Sequence, residues 1–344
     1  MITAAAVSGP GPGGHARRAA LDVDHLTCTI PGPDGTDLCL VNDVSFTLTA
    51  GKTLGIVGES GSGKTMLVRS IMGIGPPTTS VTGSVLLNGR ELLNLPSRQR
   101  RERLGAEIAM VFQNPMTSLN PVVTVGRQIS EGIRAHLGLS KRDARARSIQ
   151  LLADVGIPDP ARRFDQYPHE LSGGMRQRVT IAAALGSDPD VLITDEATTA
   201  LDVTVQKQIL VLLERIQEER QMSIIMISHD LGVVSGRTDE LMVMYGGQVA
   251  EAGPTRYVFE RHAHRYTEAL LRAIPSLAAE PHGTFATIPG TPPRPVAEFD
   301  RCRFTARCAH ATDACTAGTP PWVVDDGNHH AHRCVHPSEP AGAR

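Results

Sequence analysis

Apolar positions along this chain repeat at strand spacing in some stretches and at helix spacing in others. From 21 to 50 apolar and polar residues alternate, with turn-forming residues at 31–35, and 81–89 is a further strand candidate that ends in an Asn-Gly pair. These segments predict a small antiparallel sheet. Between them, a short apolar run at 54–57 leads through glycines into a helical pattern at 66–72.

The middle of the chain, residues 122–188, is predicted to be mostly helical. Ser140 and Asp143 stand three residues apart, as in a capping box at the start of a helix. Gly156 is typical of the residue that ends such a helix.

The next part of the chain predicts two buried strands with a helix between them. Short apolar runs at 191–194 and 223–227 have the length of strands, and 202–220 has one apolar helical face. The residues on that face are Val205, Ile209, Leu212, Leu213 and Ile216.

A glycine-rich loop joins the strand at 54–57 to the helix at 66–72, and it fits the G-x-x-x-x-G-K-[ST] pattern of a phosphate-binding loop. Its residues are Gly58, Glu59, Ser60, Gly61, Ser62, Gly63, Lys64 and Thr65. The glycines let successive backbone N–H groups point at phosphate oxygens, and the helix start adds positive potential. Lys64 can reach the terminal phosphates, and the Thr65 hydroxyl can bind Mg²⁺.

A pair of carboxylates follows the strand at 191–194. Asp195 is at the strand end, where P-loop proteins hold Mg²⁺, and Glu196 is placed to orient and activate a water molecule against the γ-phosphate. An exposed acidic pair at a strand end is the alternative. The phosphate loop in the same chain favours the metal-and-base interpretation.

A second glycine motif, at 171–178, begins another predicted helix. Ser172 is a candidate N-cap, and Gly173 and Gly174 expose backbone N–H groups at the helix start, which makes a second anion site. One nucleotide has one set of phosphates, so we expect this second site to bind ATP that is held by another subunit.

Together these motifs resemble those of ABC-type ATPases, and they stand in that family's order. The matching segments are Walker A at 58–65, Gln113 in the Q-loop, the signature at 171–175, Walker B at 191–196, the D-loop at 200–202 with Asp202, and His229 as the switch histidine. The resemblance implies an α/β P-loop NTPase fold with a mostly parallel central sheet, an antiparallel β-subdomain and a helical subdomain. His229 also follows the strand at 223–227, at the edge where open α/β sheets bind ligands.

Four phrases narrow the resemblance to ATP-binding subunits of the oligopeptide/dipeptide (peptide/nickel) importer branch. They lie at 113–121, 172–178, 198–206 and 265–271. The resemblance implies an ABC ATPase domain at 21–260, with its helical subdomain at about 115–185, and a small Cys-rich, importer-type C-terminal extension at 261–344. We expect residues 1–20, rich in Ala, Gly and Pro, to be a disordered leader.

The resemblance also implies roles for the site residues. Lys64 and the loop N–H groups hold the β- and γ-phosphates, and Thr65, Gln113 and Asp195 arrange Mg²⁺. Glu196 polarises the attacking water, and His229 contacts the γ-phosphate. The residues that close over the ATP of the opposing subunit are Ser172, Gly173 and Gly174.

Ile30 is a departure from the family pattern, because it occupies the place of the aromatic residue that stacks on adenine. An aliphatic side chain can pack on the base but lacks ring stacking, worth on the order of 1 kcal/mol. We therefore expect weaker or less base-selective nucleotide binding.

Composition excludes some classes of partner. A formal net charge of −2 and 3% aromatic residues provide neither the basic field nor the stacking surfaces of a nucleic-acid binder. No apolar run is long enough to span a bilayer, so we expect the chain to be soluble by itself. The resemblance implies a peripheral position at the cytoplasmic face of a bacterial cell membrane. The resemblance implies two transmembrane permease subunits, a second identical or homologous ATPase subunit and, through the complex, an extracytoplasmic solute-binding protein.

Four cysteines lie close together in the C-terminal part of the sequence: Cys302, Cys308, Cys315 and Cys334. The cytosol keeps thiols reduced, so clustered cysteines there indicate a metal site. Their C-x5-C-x6-C-x18-C spacing lacks the tight C-x2-C pair of a zinc ribbon. It resembles the motif of peptide-importer ATPases, which in some relatives holds a [4Fe–4S] cluster; a Cys/His zinc site and unmetallated core cysteines are the alternatives.

The main functional prediction is an ATP-hydrolysing subunit that energises import of di- or oligopeptides, or related small solutes, through ATP-driven dimer closure. Nickel or another solute is the alternative cargo. A soluble ABC ATPase acting on nucleic acid or ribosomes is a different class, which usually carries two cassettes or a long coiled-coil insertion. The sequence shows neither a second ATPase cassette nor the pattern of a long coiled coil. A nucleotide-dependent regulator without a transport role is the third class.

Overall fold

The computed structural model describes residues 18–198, 201–274, 287–325, 327 and 329–338. They divide into two compact units. The first unit contains the described residues up to Asn94 and from Met226 onwards, and the second unit is Leu95–Ile225. The predicted leader lies outside the described residues except for its last three.

The strands, in chain order, are β1 (Ala19–Pro31), β2 (Asp37–Thr49), β3 (Thr53–Val57), β4 (Ser80–Leu87), β5 (Arg90–Glu91), β6 (Ile108–Val111), β7 (Val191–Asp195), β8 (Ser223–Ser228), β9 (Glu240–Tyr245), β10 (Gln248–Pro254), β11 (Val323–Asp325) and β12 (His330–His332). The helices are α1 (Lys64–Met72), α2 (Ser97–Arg103), α3 (Pro115–Ser118), α4 (Val125–Leu137), α5 (Lys141–Asp154), α6 (Pro160–Phe164), α7 (Gly173–Ala184), α8 (Val203–Arg220), α9 (Leu231–Val234), α10 (Thr255–Arg261) and α11 (Arg265–Arg272). Short 3-10 turns occupy Pro168–Glu170, Thr305–Arg307 and Asp313–Cys315.

An antiparallel sheet in the first unit has the strand order β2-β1-β4-β5. The backbone N–H of Gly32 donates to the Thr36 carbonyl oxygen at 2.7 Å in the turn between β1 and β2. Asn88 and Gly89 both have positive φ, 54° and 73°, in the tight turn between β4 and β5. The predicted antiparallel layer and both of its turns are therefore confirmed.

A second group of strands in the first unit carries the phosphate loop. Its order is β11-β12-β10-β9-β3, with β3 and β9 parallel and the other pairs antiparallel. β3 and β9 are buried along most of their length because their side chains are almost all apolar. This packing fixes the end of β3 from which the loop departs.

The second unit pairs β6 with β7 in parallel, and all the residues of both strands are buried. The chain between them is mostly helical, as predicted. The Ser140 hydroxyl accepts from the Asp143 backbone N–H at 3.2 Å and caps α5. Gly156, with φ of 75°, follows the end of that helix.

Residues of the C-terminal part form strands that the sequence patterns did not predict. β12 pairs with β10, and the backbone N–H of Arg333 continues the ladder by donating to the Ala250 carbonyl oxygen at 2.8 Å. Nε2 of His330 lies 2.6 Å from the buried Glu251 carboxylate on β10. The tail thus packs on the sheet of the first unit, which supplies the apolar partners that the tail itself lacks.

Candidate nucleotide site

The phosphate loop begins and ends on glycines that no other residue could replace without rearrangement. Gly58 has φ of 153°, and a Cβ there would lie 2.2 Å from the Met244 carbonyl oxygen. Gly63 has φ of 104°, and its Cβ would lie 2.8 Å from the Leu40 carbonyl oxygen. The loop is therefore pressed against neighbouring backbone in a conformation that requires glycine.

Lys64 is the first residue of α1 and is 4% exposed. Its Nζ donates to the carbonyl oxygens of Gly58 at 2.7 Å and Glu59 at 2.9 Å, and lies 3.4 Å from the Ser62 hydroxyl. The ammonium group is thus held within the curl of the loop, where a bound phosphate would meet it. Thr65 follows on the first turn of the same helix.

In the second unit, Asp195 and Glu196 stand at the end of β7. Asp195 is fully buried as the last residue of the strand. Glu196 has a positive φ of 46°, so the backbone turns sharply after Asp195. Nε2 of Gln113 donates to a Glu196 carboxylate oxygen at 2.7 Å. The structure therefore brings together two of the predicted catalytic residues.

The signature residues form the exposed start of α7. The Ser172 hydroxyl accepts from the Met175 backbone N–H at 3.3 Å, which confirms the predicted N-cap. Ser172 and Gly173 are exposed, and Gly174 is half-buried against Val205 of α8. The backbone N–H groups of this helix start face a surface that is open to another molecule.

The remaining predicted site residues lie on separate elements. Asp202 accepts from the Val205 backbone N–H at 2.9 Å and caps α8. His229 is exposed directly after β8, and Ile30 is half-buried near the end of β1, opposite Leu38. The roles given to these three residues in nucleotide binding stay predictions.

Sequence reasoning did not assign three residues that contact the phosphate loop or support those contacts. Tyr266 of α11 accepts from the Glu59 backbone N–H, Arg307 pairs with the Glu59 carboxylate, and Tyr245 of β9 bonds to Arg307. Arg307 and Glu59 are 248 residues apart, so no local pattern relates them.

The four tail cysteines share one neighbourhood in the first unit. Burial raises the pKa of the Cys302, Cys308 and Cys334 thiols, and the charge of other tail thiols raises each of them further. The backbone N–H of Cys302 donates to the Cys315 carbonyl oxygen at 2.9 Å. Within the described ranges, no three His, Cys, Asp or Glu side chains are grouped so that they could hold one metal ion.

Two family models match the chain. Residues 41–199 match the ABC transporter model, and 250–315 match the C-terminal region of oligopeptide/dipeptide transporters. The oligopeptide transport ATP-binding protein OppD of Salmonella typhimurium is 47% identical, over 93% of this chain and 94% of its own length. The dipeptide transport ATP-binding protein DppD of Escherichia coli is 44% identical, over 94% of this chain and 98% of its own length.

Solved structures give the same picture of the fold. A dimeric ATP-binding cassette in a post-hydrolysis state with ADP and Pi superposes with a TM-score of 0.62 at 24% identity, over 69% of this chain and 99% of its own. A subunit of an ABC transporter complex from Clostridium perfringens gives a TM-score of 0.58 at 28% identity, over 70% of this chain and 91% of its own. These likenesses confirm the predicted fold class. Among the described residues, no helix is both long and apolar enough to cross a membrane.

Proposed function

Because the chain belongs to the ABC transporter ATP-binding proteins of the oligopeptide/dipeptide family, we propose that it binds ATP on the 58–65 loop and uses hydrolysis to drive peptide import. The chain is an ATPase whose hydrolysis is coupled to transport. OppD and DppD are named for oligopeptide and dipeptide transport, and we extend this cargo class to the present chain. The same family relation favours this function over action on nucleic acid or ribosomes, and over nickel as cargo.

The observation that carries the proposal is the buried Lys64 at the centre of a glycine-bounded loop. Desolvating an ammonium group is costly unless oxygen atoms surround it, and here they belong to the loop itself. The same loop presents its backbone N–H groups at the start of α1, where anions are stabilised. Lys64 is thereby ready to meet the γ-phosphate without a large rearrangement.

The second unit supplies a carboxylate and an amide for the proposed metal site, and Thr65 on α1 of the first unit supplies the hydroxyl. Carboxylate, amide and hydroxyl oxygens are the ligands that Mg²⁺ prefers, and Asp195, Gln113 and Thr65 provide one of each. The bond from Gln113 to Glu196 uses the amide nitrogen and leaves the amide oxygen for the metal. Glu196 then accepts a proton from the attacking water, while His229 contacts the γ-phosphate.

We propose that Ser172, Gly173 and Gly174 bind the ATP of a second ATPase subunit. Their exposure supports this role, since a helix start with open N–H groups attracts a phosphate that its own unit does not hold. ATP binding would then join the two subunits, and hydrolysis would let them part. Asp202 caps α8 by accepting from the Val205 backbone N–H, and the Val205 side chain lies beside Gly174.

Replacing Glu196 tests the hydrolysis step. In Glu196→Gln the side chain keeps an oxygen that accepts from Gln113 but loses its basicity. We expect MgATP affinity to persist while turnover falls on the order of 10²–10⁴-fold. Equilibrium binding of a fluorescent ATP analogue and steady-state phosphate release measure the two quantities.

A matched control for this test is Glu219→Gln on α8, since Glu219 forms an exposed i,i+4 pair with Arg215. It removes the same charge from the same unit and should leave turnover unchanged. Normal turnover of Glu196→Gln would exclude Glu196 as the base.

The partners of the proposal are two permease subunits and, through them, a solute-binding protein outside the membrane. The segment from Phe112 to Val122 supports a protein partner, because it exposes apolar side chains that water does not favour. Phe112 is 42% exposed, Met116 62% and Val122 78%. This would hold the ATPase at the cytoplasmic face of the membrane.

For the tail we propose a [4Fe–4S] cluster bound by Cys302, Cys308, Cys315 and Cys334. In such a cluster each thiolate binds a different iron atom, so the sulfur atoms stand farther apart than around one zinc ion. Besides burial, the charge of another tail thiol raises the pKa of each of the Cys302, Cys308 and Cys334 thiols, and this proximity is the observation behind the proposed shared site. The cluster would brace the tail, whose own apolar core is small.

Elemental analysis tests the tail site. Protein purified without oxygen should be brown and contain about four iron atoms and equivalent acid-labile sulfide per chain. Cys308→Ser should lose both, whereas Cys28→Ser, at a buried position of β1, should keep them. A colourless protein with one zinc per chain, or with no metal, would refute the cluster.

A further inference from the structure

The C-terminal tail reaches back to the phosphate loop through Arg307. Nη1 of Arg307 donates to one Glu59 carboxylate oxygen at 2.5 Å, and Nη2 donates to the other at 3.0 Å. The Arg307 side chain is 4% exposed and that of Glu59 26%. This bidentate geometry is the strong form of an arginine–carboxylate pair, and both side chains are largely shielded from water.

The Arg307 guanidinium group also donates hydrogen bonds to uncharged oxygen atoms, which hold it in place. Its Nε donates to the Pro289 carbonyl oxygen at 2.7 Å, and Nη2 also donates to that of Ile288 at 3.2 Å. Nη1 donates to the Tyr245 hydroxyl at 3.2 Å. Arg307 therefore cannot turn away from Glu59 without breaking bonds to three other residues.

A second contact holds the backbone of Glu59. The Tyr266 hydroxyl accepts from the Glu59 N–H at 2.8 Å. Tyr266 is fully buried on α11, and its ring packs against those of Tyr245 at 4.3 Å and Phe304 at 5.4 Å between centroids. The C-terminal extension thus bonds to Glu59 at both its backbone and its carboxylate.

The ion pair between Arg307 and Glu59 bears on nucleotide binding because Glu59 is negatively charged. Its carboxylate belongs to the loop that must accept a triphosphate with several negative charges. A carboxylate there repels the nucleotide unless a cation neutralises it and holds it to one side. Arg307 does both, whereas Lys64 is bonded to carbonyl oxygens of the loop, including that of Glu59.

We propose that Arg307 is a positioning residue for ATP binding, through which the C-terminal extension neutralises Glu59 and sets the affinity of the phosphate loop. The proposal rests on the function assigned above to the 58–65 loop. Arg307 directly precedes Cys308, so the cysteine segment begins one residue from this contact with the loop.

Substitution of Arg307 tests the proposal. Arg307→Gln keeps hydrogen-bond donors but leaves the Glu59 charge uncompensated, and we expect the Kd and KM for MgATP to rise about ten-fold. Because the proposal concerns binding, kcat should stay within about two-fold of wild type. Arg307→Lys keeps the positive charge but cannot donate two parallel hydrogen bonds, so its Kd for MgATP should lie between those of the wild type and Arg307→Gln.

A second substitution separates charge from mere structural support. In the Arg307→Gln background, Glu59→Gln removes the repelling carboxylate, so ATP affinity should return to within about two- to three-fold of wild type. Glu59→Gln alone should bind ATP at least as well as wild type. Additive losses in the double variant, or a loss in Glu59→Gln equal to that in Arg307→Gln, would overturn the proposal.

Two controls distinguish this inference from the proposed function. Arg301→Gln removes an exposed arginine of the same tail that pairs with Asp300, and it should leave ATP affinity unchanged. If Lys64→Ala keeps wild-type affinity, the function assigned to the loop fails. If Lys64→Ala loses affinity while a folded Arg307→Gln keeps it, only the role of Arg307 fails. Circular dichroism establishes that each variant is folded.

Discussion

Glu196 adopts a backbone conformation that residues other than glycine rarely take. Its φ of 46° follows directly on the buried end of β7, and strain of this kind costs of order 1–3 kcal/mol. Such strain persists where surrounding contacts maintain it, and here Gln113 holds the carboxylate. The turn also separates two consecutive carboxylates, so that Asp195 is fully buried while Glu196 is half-buried and bonded to Gln113.

At the same scale, Lys64 gives a direct prediction for nucleotide affinity. Lys64→Ala removes the charged donor that we propose meets phosphate, and a hydrogen bond to a charged group contributes about 1.5–3 kcal/mol. We therefore expect the Kd for MgATP to rise at least about ten-fold. Titration with a fluorescent ATP analogue measures the change. Lys141→Ala on the exposed start of α5 is the control, and unchanged binding in Lys64→Ala would contradict the assigned role.

At the scale of elements, helix starts illustrate what the sequence can predict. Ser140 and Ser172 were identified as caps because a capping side chain bonds to a backbone group only three residues away. The same locality made the turn at Asn88 predictable. Strands β11 and β12 were missed because each has only three residues and β12 pairs with β10, about 80 residues earlier in the chain. Arg307 was missed because its partner Glu59 is 248 residues away.

Helix α11 gives a prediction about pH. His264 caps it, and its Nδ1 accepts from the Tyr266 backbone N–H at 3.0 Å, which requires the neutral ring. Burial lowers the pKa of His264 from 6.5 to about 4 in the folded protein. The unfolded chain therefore binds a proton more readily, and stability present above pH 6.5 is lost as pH falls towards 4.

Between pH 6.5 and pH 4, this titration of His264 lowers the free energy of unfolding by roughly 3 kcal/mol. His264→Asn retains a capping oxygen without a titrating ring. Urea unfolding of the wild type and the variant at a series of pH values measures the difference in stability. We expect the free energy of unfolding of the wild type, relative to that of His264→Asn, to fall steadily as the pH is lowered. A difference that does not depend on pH would show that His264 does not titrate in this way.

At the scale of the whole molecule, the exposed apolar segment of the second unit predicts where a partner binds. A double substitution, Met116→Asp with Val122→Asp, places charges on side chains that we expect permeases to cover, and burying an unpaired charge is costly. We predict that the variant no longer co-purifies with tagged permease subunits. Val211→Asp, at an exposed position of α8, is the matched control. Undiminished co-purification of the double variant would exclude this segment as the contact.

The pairing of β12 with β10 has a consequence for any shortened form of the protein. A chain that stopped before residue 320 would leave the N–H and C=O groups along one side of β10 without their ladder. Such an open strand edge invites a neighbouring molecule to add its own strand, and the outcome is aggregation. The carboxylate of Glu251 would lose His330 at the same time. The ATPase portion consequently depends on β12 to keep this edge of its sheet covered.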